Sequence, residues 1–326
     1  MSNIIAWMSP LGLMMCVAGV VFGQPAAAGS AAAYPAKPIR ILTSEPGGVS
    51  DIASRLIAQG TSASLGQAIV IENRPSIVSI EIAAKAAPDG YTLLHYGSTI
   101  WLLPFMRDQV PWDVARDFAP ITWTTSTLNL VVVHPSSGIN SIRELIVAAN
   151  AIPGALNCAM GSRGSSTHLT AELFLHMSGI KVAAIAYKGN VQGLTALMSG
   201  EVQMVFPTAG SGGPYVKSGK LKALAVTSAE PSALFPGVPT VAAAGVPGFE
   251  SISIVGLFAP ARTPDAIIRR LNREVVRFFN QTEVKQKVAS TGSEVVASSP
   301  EQFASVIKSE MARLGKFIKA AGIRAD

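Results

Sequence analysis

Two stretches of small and hydroxyl residues carry most of the chemistry legible in this chain. Pro46-Gly47-Gly48-Val49-Ser50-Asp51 stands between an apolar run and a helix-patterned segment, and Gly161-Ser162-Arg163-Gly164-Ser165-Ser166-Thr167-His168 repeats the arrangement in the second half. Glycines permit a sharp turn and leave amides uncovered, while the first turn of a helix has free N–H groups and partial positive charge. A carboxylate or phosphate can be held there without a cationic side chain. Taken alone, the first loop is also readable as a plain turn with Ser50 or Asp51 as N-cap. Two such loops, one in each half, predict a cleft where two helix N-termini converge on one anion. The candidate ligand contacts are Gly47, Gly48, Ser50 and Asp51 in the first loop, and Gly161, Ser162, Ser165, Ser166, Thr167 and His168 in the second. His168, at a helix start, reads as a local cap in preference to a metal ligand.

Tyr187-Lys188-Gly189 ends another β-rich run, and parallel α/β sheets bind ligands at the carboxyl ends of their strands. Lys188 there is either a charge at the cleft or a solvated loop lysine, and Tyr187 and Gly189 join the candidate set with it. Ser98, Thr99 and Phe206, at or just past the ends of apolar runs, complete that set. Catalytic signatures are missing. Ala209-Gly210-Ser211-Gly212-Gly213 differs from a nucleophile elbow in its first position and is followed by Pro214. There is no phosphate loop and no dinucleotide fingerprint. His95, His134, His168 and His176 lack zinc-ligand spacing, so neither a metal nor a cofactor is expected.

The elements that must position these residues follow from hydrophobic patterning. Strands are expected near 39–43, 68–71, 92–95 and 128–134, with helices near 51–65 and 80–87. A second series follows: helix 142–150, strand 157–160, helix 167–178, strand 182–186, helix 191–199 and strands 202–206 and 221–227. This alternation predicts parallel sheets covered by helices. The tail is helical, with starts at Thr263-Pro264 and at Ser299-Pro300, where Gln302 completes a capping box.

At 326 residues the chain is long enough for two domains, and 49% hydrophobic against 14% charged residues excludes a disordered chain. A net charge of +6 without a basic run argues against nucleic acid. Met1 to Ala36 contain no Asp, Glu, Lys or Arg, and an apolar run from Leu11 to Phe22 precedes small residues. That reads as a secretory signal over 1–33, cleaved after Ala33, with an uncleaved anchor as the alternative. Cleavage would remove Cys16 and leave Cys158 alone, without an internal disulfide.

At these residues the sequence resembles the substrate-binding proteins of tripartite tricarboxylate transporters, the Bug receptors. The resemblance runs through the mature chain: Tyr34-Pro35-Ala36-Lys37-Pro38-Ile39-Arg40, Glu72-Asn73-Arg74-Pro75, Ala86-Ala87-Pro88-Asp89-Gly90-Tyr91-Thr92, Gly164-Ser165-Ser166-Thr167-His168-Leu169 and Gly237-Val238-Pro239-Thr240-Val241. It implies an α/β, two-lobed periplasmic binding protein, a flytrap of type II-like form with two crossover strands. Crossings near Val133 and Ile254 would make 34–133 plus 254–326 lobe 1 and 134–253 lobe 2. It implies a monomer that passes a small organic carboxylate to membrane transporter subunits. A sensor that presents its ligand to a signalling partner and a periplasmic enzyme with a remodelled cleft are the competing readings. One departure stands out. Ser76-Ile77-Val78-Ser79 replaces the family's glycine-rich loop, which either makes a drier cleft wall that prefers monocarboxylates to tricarboxylates or turns Ile77 and Val78 inward as core, away from ligand.

Overall fold

The computed structural model describes residues 34–325, apart from Glu45, Gly47, Gly48, 162–164, Lys188 and Gly189. The leader expected over 1–33 lies outside the described residues. Among those described, no helix is long and apolar enough to cross a membrane.

Two mixed sheets define two lobes. In lobe 1, β1 (Ile39–Thr43), β2 (Ile69–Asn73) and β3 (Thr92–Gly97) are parallel and alternate with α1 (Val49–Leu65) and α2 (Ser76–Ala84). Helices α3 (Thr99–Met106) and α4 (Val114–Asp117) lead into β4 (Phe118–Leu128). Lobe 2 runs from β5 (Leu130–Val133) through α5 (Ile142–Ala151), β6 (Asn157–Met160), α6 (Ser166–Ser178), β7 (Ala183–Ala186) and α7 (Asn190–Met198). It continues with β8 (Met204–Val205), α8 (Ala209–Lys217), β9 (Lys222–Val226) and α9 (Val241–Ala244). The chain returns to lobe 1 in β10 (Ile252–Pro260) and ends with α10 (Asp265–Phe279), α11 (Thr282–Ser290), β11 (Glu294–Val295) and α12 (Pro300–Ala320). Strand order is β11-β4-β10-β3-β1-β2 in lobe 1 and β7-β6-β8-β5-β9 in lobe 2.

The alternation predicts parallel sheets, but both sheets are mixed. The strands that carry the chain between lobes oppose their neighbours: β10 is antiparallel to β3 and β4, and β5 to β8 and β9. A strand arriving from the other lobe needs no crossover helix, so it can pair antiparallel. The sheets also divide elsewhere than expected. Leu130–Val133 belongs wholly to lobe 2 and Ile252–Pro260 wholly to lobe 1, so membership changes at Asn129 and again just before Ile252. The run 128–134 is apolar almost throughout and its residue types do not mark where one sheet stops.

Asn129 is instead marked by its bonds. Its N–H donates to Thr227 Oγ1 at 2.7 Å, its carbonyl accepts from Thr227 N–H at 3.0 Å, and its Nδ2 donates to Thr170 Oγ1 at 2.7 Å. Thr170 Oγ1 lies 2.6 Å from Ser251 Oγ, and Ser251 N–H donates to the Thr227 carbonyl at 2.8 Å. The two crossings are thus tied to each other and to the second turn of α6.

Helices cover the sheet of lobe 1 with single apolar faces. Ile267, Ile268, Leu271, Val275 and Phe279 of α10 are buried against one core, and Phe303, Ile307, Leu314 and Ile318 of α12 against another. The capping box opening α12 is formed: Gln302 N–H donates to Ser299 Oγ and Ser299 N–H to Gln302 Oε1. Phe303 packs against Trp101 and Phe258 with ring centroids 6.2 and 4.9 Å apart, which seats α3 beside β10. Ala209 to Gly213 form the start of α8, where the Ser211 hydroxyl pairs with its cap, Thr208, at 2.9 Å.

Candidate functional site

Three strands, β1, β3 and β6, each release the chain into a helix, and these helix starts meet between the lobes. A cavity of about 200 Å³ lies there. Lobe 1 lines it with the hydroxyl residues Ser44, Ser50, Ser98, Thr99 and Ser253, and lobe 2 adds Ser165 and Ser166. Val49, Tyr96, Leu102, Leu169 and Val255 supply the apolar part of the wall. None of the lining residues described is charged. Attraction for an anion therefore comes from the N-terminal ends of α1, α3 and α6, two from one lobe and one from the other.

Local chemistry sets each helix start. Ser165 is in extended backbone and its Oγ accepts from His168 N–H at 3.2 Å, capping α6. Ser98 is the N-cap residue of α3 but makes no side-chain capping bond. At the first loop, Asn73 Nδ2 donates both to the Ser44 carbonyl at 2.6 Å and to Asp51 Oδ1 at 2.8 Å. Asn73 thereby clamps the two ends of the glycine loop, and this is the structural work of the Glu72-Asn73-Arg74-Pro75 motif.

Of the residues singled out from sequence, Ser50, Ser98, Thr99, Ser165 and Ser166 line the cavity. Gly47, Gly48, Ser162, Lys188 and Gly189 lie outside the described residues. The rest are placed elsewhere. Asp51 is buried behind the loop with Arg55 and Asn73 as partners. Thr167 turns its hydroxyl to Ser165 Oγ at 3.0 Å, and a Cβ on Gly161 would meet Thr167 Oγ1 at 2.0 Å, so both shape the loop from behind. His168 faces a separate space of about 280 Å³ beside Glu172 and the C-terminal segment, its Nε2 3.7 Å from Glu172 Oε1. Burial holds the Glu172 carboxyl above its ordinary range. Tyr187 donates its hydroxyl to Glu201 at 2.9 Å, away from the cavity. Phe206 is fully buried against Phe174, with centroids 5.2 Å apart.

Ser44, Ser253 and the apolar wall carry no sequence signal of their own, because they reach the cavity only through sheet register. The altered segment after Pro75 is not a cleft loop. It is the first part of α2, with Ile80 buried in the core, Ile77 packed against that core and Val78 exposed. None of these lines the cavity, and the physical reason for a monocarboxylate preference goes with them.

Two α/β lobes joined by a pair of crossing strands, with helix N-termini from both facing one cavity, define a periplasmic binding protein of the solute-receptor class. The chain belongs to the tripartite tricarboxylate transporter receptor family, whose model matches residues 53–323. It is 30% identical over 328 residues to the protein BugT of Bordetella pertussis, a match covering 99% of each chain. Among solved structures it is similar to Rpa4515 of R. palustris with adipate, at 31% identity and a TM-score of 0.78, over 89% of this chain and 99% of that one. It is also similar to MatC of Rhodopseudomonas palustris with bound malate, at 26% identity and a TM-score of 0.73, over 87% and 99%. Family membership makes the chain a transport receptor and not an enzyme.

Proposed function

We propose that this receptor captures a small organic carboxylate between its lobes and presents it to the membrane subunits of a tripartite transporter. The observation that carries this reading is the cavity itself: hydroxyls and three helix N-termini from both lobes, with no charged side chain among the described lining residues. Such a wall suits a ligand that brings its own negative charge and accepts several hydrogen bonds. Adipate in one relative and malate in another make these dicarboxylates the first acids to test. The ligand-contact set is Ser50, Ser98, Thr99, Ser165 and Ser166, with the backbone of the two glycine-containing loops. The receptor works as a monomer and reaches the periplasm through the leader at 1–33.

The test is a thermal-shift series on the mature protein with adipate, malate, citrate and benzoate. An acid at a hundred times its dissociation constant stabilises the native state by about 2.7 kcal/mol, a readily measured rise in melting temperature. If none of the four raises the melting temperature at millimolar concentration, the carboxylate reading fails.

A further inference from the structure

His95 is a wholly buried histidine with no part in the contacts described so far. It occupies β3, immediately before Tyr96, Gly97, Ser98 and Thr99, which line the cavity. Its Nδ1 is 2.7 Å from Ser54 Oγ and 3.1 Å from the Ser50 carbonyl oxygen, and its Nε2 is 2.8 Å from Thr124 Oγ1. Both hydroxyls pass the connection on. Ser54 donates to the Ser50 carbonyl at 2.6 Å, and Thr124 Oγ1, whose single proton is shared between His95 Nε2 and the Val255 carbonyl oxygen, lies 2.9 Å from that oxygen. Ser50 and Val255 are themselves lining residues, one in the first turn of α1 and the other in β10.

One ring therefore joins three walls of the cavity: α1 through Ser50 and Ser54, β10 through Thr124, and β3 through its own backbone. Its main chain is fastened too, since Thr43 Oγ1 donates to the His95 carbonyl at 3.0 Å and Ser79 Oγ to the Thr43 carbonyl at 3.0 Å. Ser54, Thr124, Thr43 and Ser79 are all fully buried. An aliphatic side chain would fill this core equally well, and a buried polar chain is costly unless every member is partnered. Imidazole is suited to the place because it has polar atoms on opposite sides of a rigid ring.

We infer that His95 is a positioning residue of the ligand cavity, holding the first turn of α1 in register with β10 so that both lobe 1 walls meet ligand in one fixed geometry. The inference rests on the cavity being the ligand site, and the experiment separates the two. His95→Phe removes both ring nitrogens while Ser54 and Thr124 keep their carbonyl acceptors, and because phenyl is somewhat larger than imidazole a native circular dichroism spectrum is required of the variant first. Thr124→Val breaks the link to β10, while Thr124→Ser retains the hydroxyl. Val288→Ala, in a buried site of α11 away from the cavity, is the control for general loss of stability.

Two readouts are taken: amide hydrogen exchange in the first turn of α1 without ligand, and adipate affinity by calorimetry. His95→Phe and Thr124→Val should each speed exchange there and weaken adipate by about tenfold, the worth of about one hydrogen bond. Thr124→Ser and Val288→Ala should stay near wild type in both. Unchanged exchange in His95→Phe, equal acceleration in Val288→Ala, or full adipate affinity in His95→Phe overturns the inference. Failure of adipate to bind the wild type counts against the proposed ligand, and the exchange readout then decides on His95 alone.

Discussion

The Ser165 hydroxyl caps α6, and Ser165 lines the cavity, so the proposed function gives this residue a part in both stability and binding. Ser165→Ala should cost about 1 kcal/mol of folding stability through the lost cap and weaken adipate by about 0.5–1.5 kcal/mol through the lost contact. Urea unfolding and calorimetry measure the two separately; loss of stability with unchanged affinity would take Ser165 out of the ligand contacts. His95 makes a prediction of a different kind. Burial drives its pKa down from 6.5 to about 4, against a smaller upward pull from the Ser50 carbonyl. Between those values the unfolded chain binds a proton that the folded chain refuses, so the ring's contribution is whole above about pH 6.5 and declines as pH falls toward 4. The loss amounts to about 3 kcal/mol over that window, with no further change below it. His95→Phe should flatten this part of the stability profile, and an unaltered slope would show that other groups cause it.

The third helix start at the cavity, that of α3, has no legible periodicity in sequence. Thr99–Met106 is apolar almost throughout and contains Pro104, which normally argues against a helix. The structure resolves the conflict through Trp112. Proline has no N–H for the carbonyl four residues earlier, that of Ile100, and Trp112 Nε1 donates to this same carbonyl at 2.7 Å. Trp112→Phe would leave it unpaired in a buried setting and is expected to cost about 1–3 kcal/mol in urea unfolding. Because α3 carries Ser98 and Thr99, adipate affinity should fall as well. A variant as stable as wild type would mean that the bond does not sustain the helix. The last helix, α12, with Phe303, Ile307, Leu314 and Ile318 on one apolar face, was by contrast readable directly from spacing.

The lobes meet in a hydrogen-bonded knot at Asn129, Thr170, Thr227 and Ser251. Thr170 sits in the second turn of the helix whose first turn carries Ser166 to the cavity, so displacement of α6 by a ligand acts directly on both crossings. Thr170→Val keeps the shape but strands the Asn129 amide and leaves Ser251 Oγ without this partner. Destabilisation by about 1–3 kcal/mol is expected from chemical denaturation, and a neutral result would remove the knot as a stabilising feature. A ligand held by hydroxyls of both lobes favours the closed arrangement. Small-angle scattering should therefore show a smaller radius of gyration in saturating adipate, and an unchanged radius would argue against closure.

The family resemblance implied the two-lobed plan, while composition, hydrophobic period and the two glycine and hydroxyl stretches determined the α/β class and two of the three helix starts. These are local properties, written in neighbouring residues. Capping chemistry was legible for the same reason, as Ser299 and Gln302 illustrate. What the tertiary structure decided depends on residues far apart in the chain. Only the sheets show that Leu130–Val133 belongs to lobe 2, since a run buried on both faces reads alike in either sheet. Only packing shows that Asp51, Thr167 and Phe206 stand behind the cavity wall, or that Ser253 reaches it from β10, because a side chain's facing is set by strand register and by the partners that claim its polar atoms. Pro75 likewise opens a helix where a cleft loop was expected, and the burial of Ile80 beneath the sheet keeps it there.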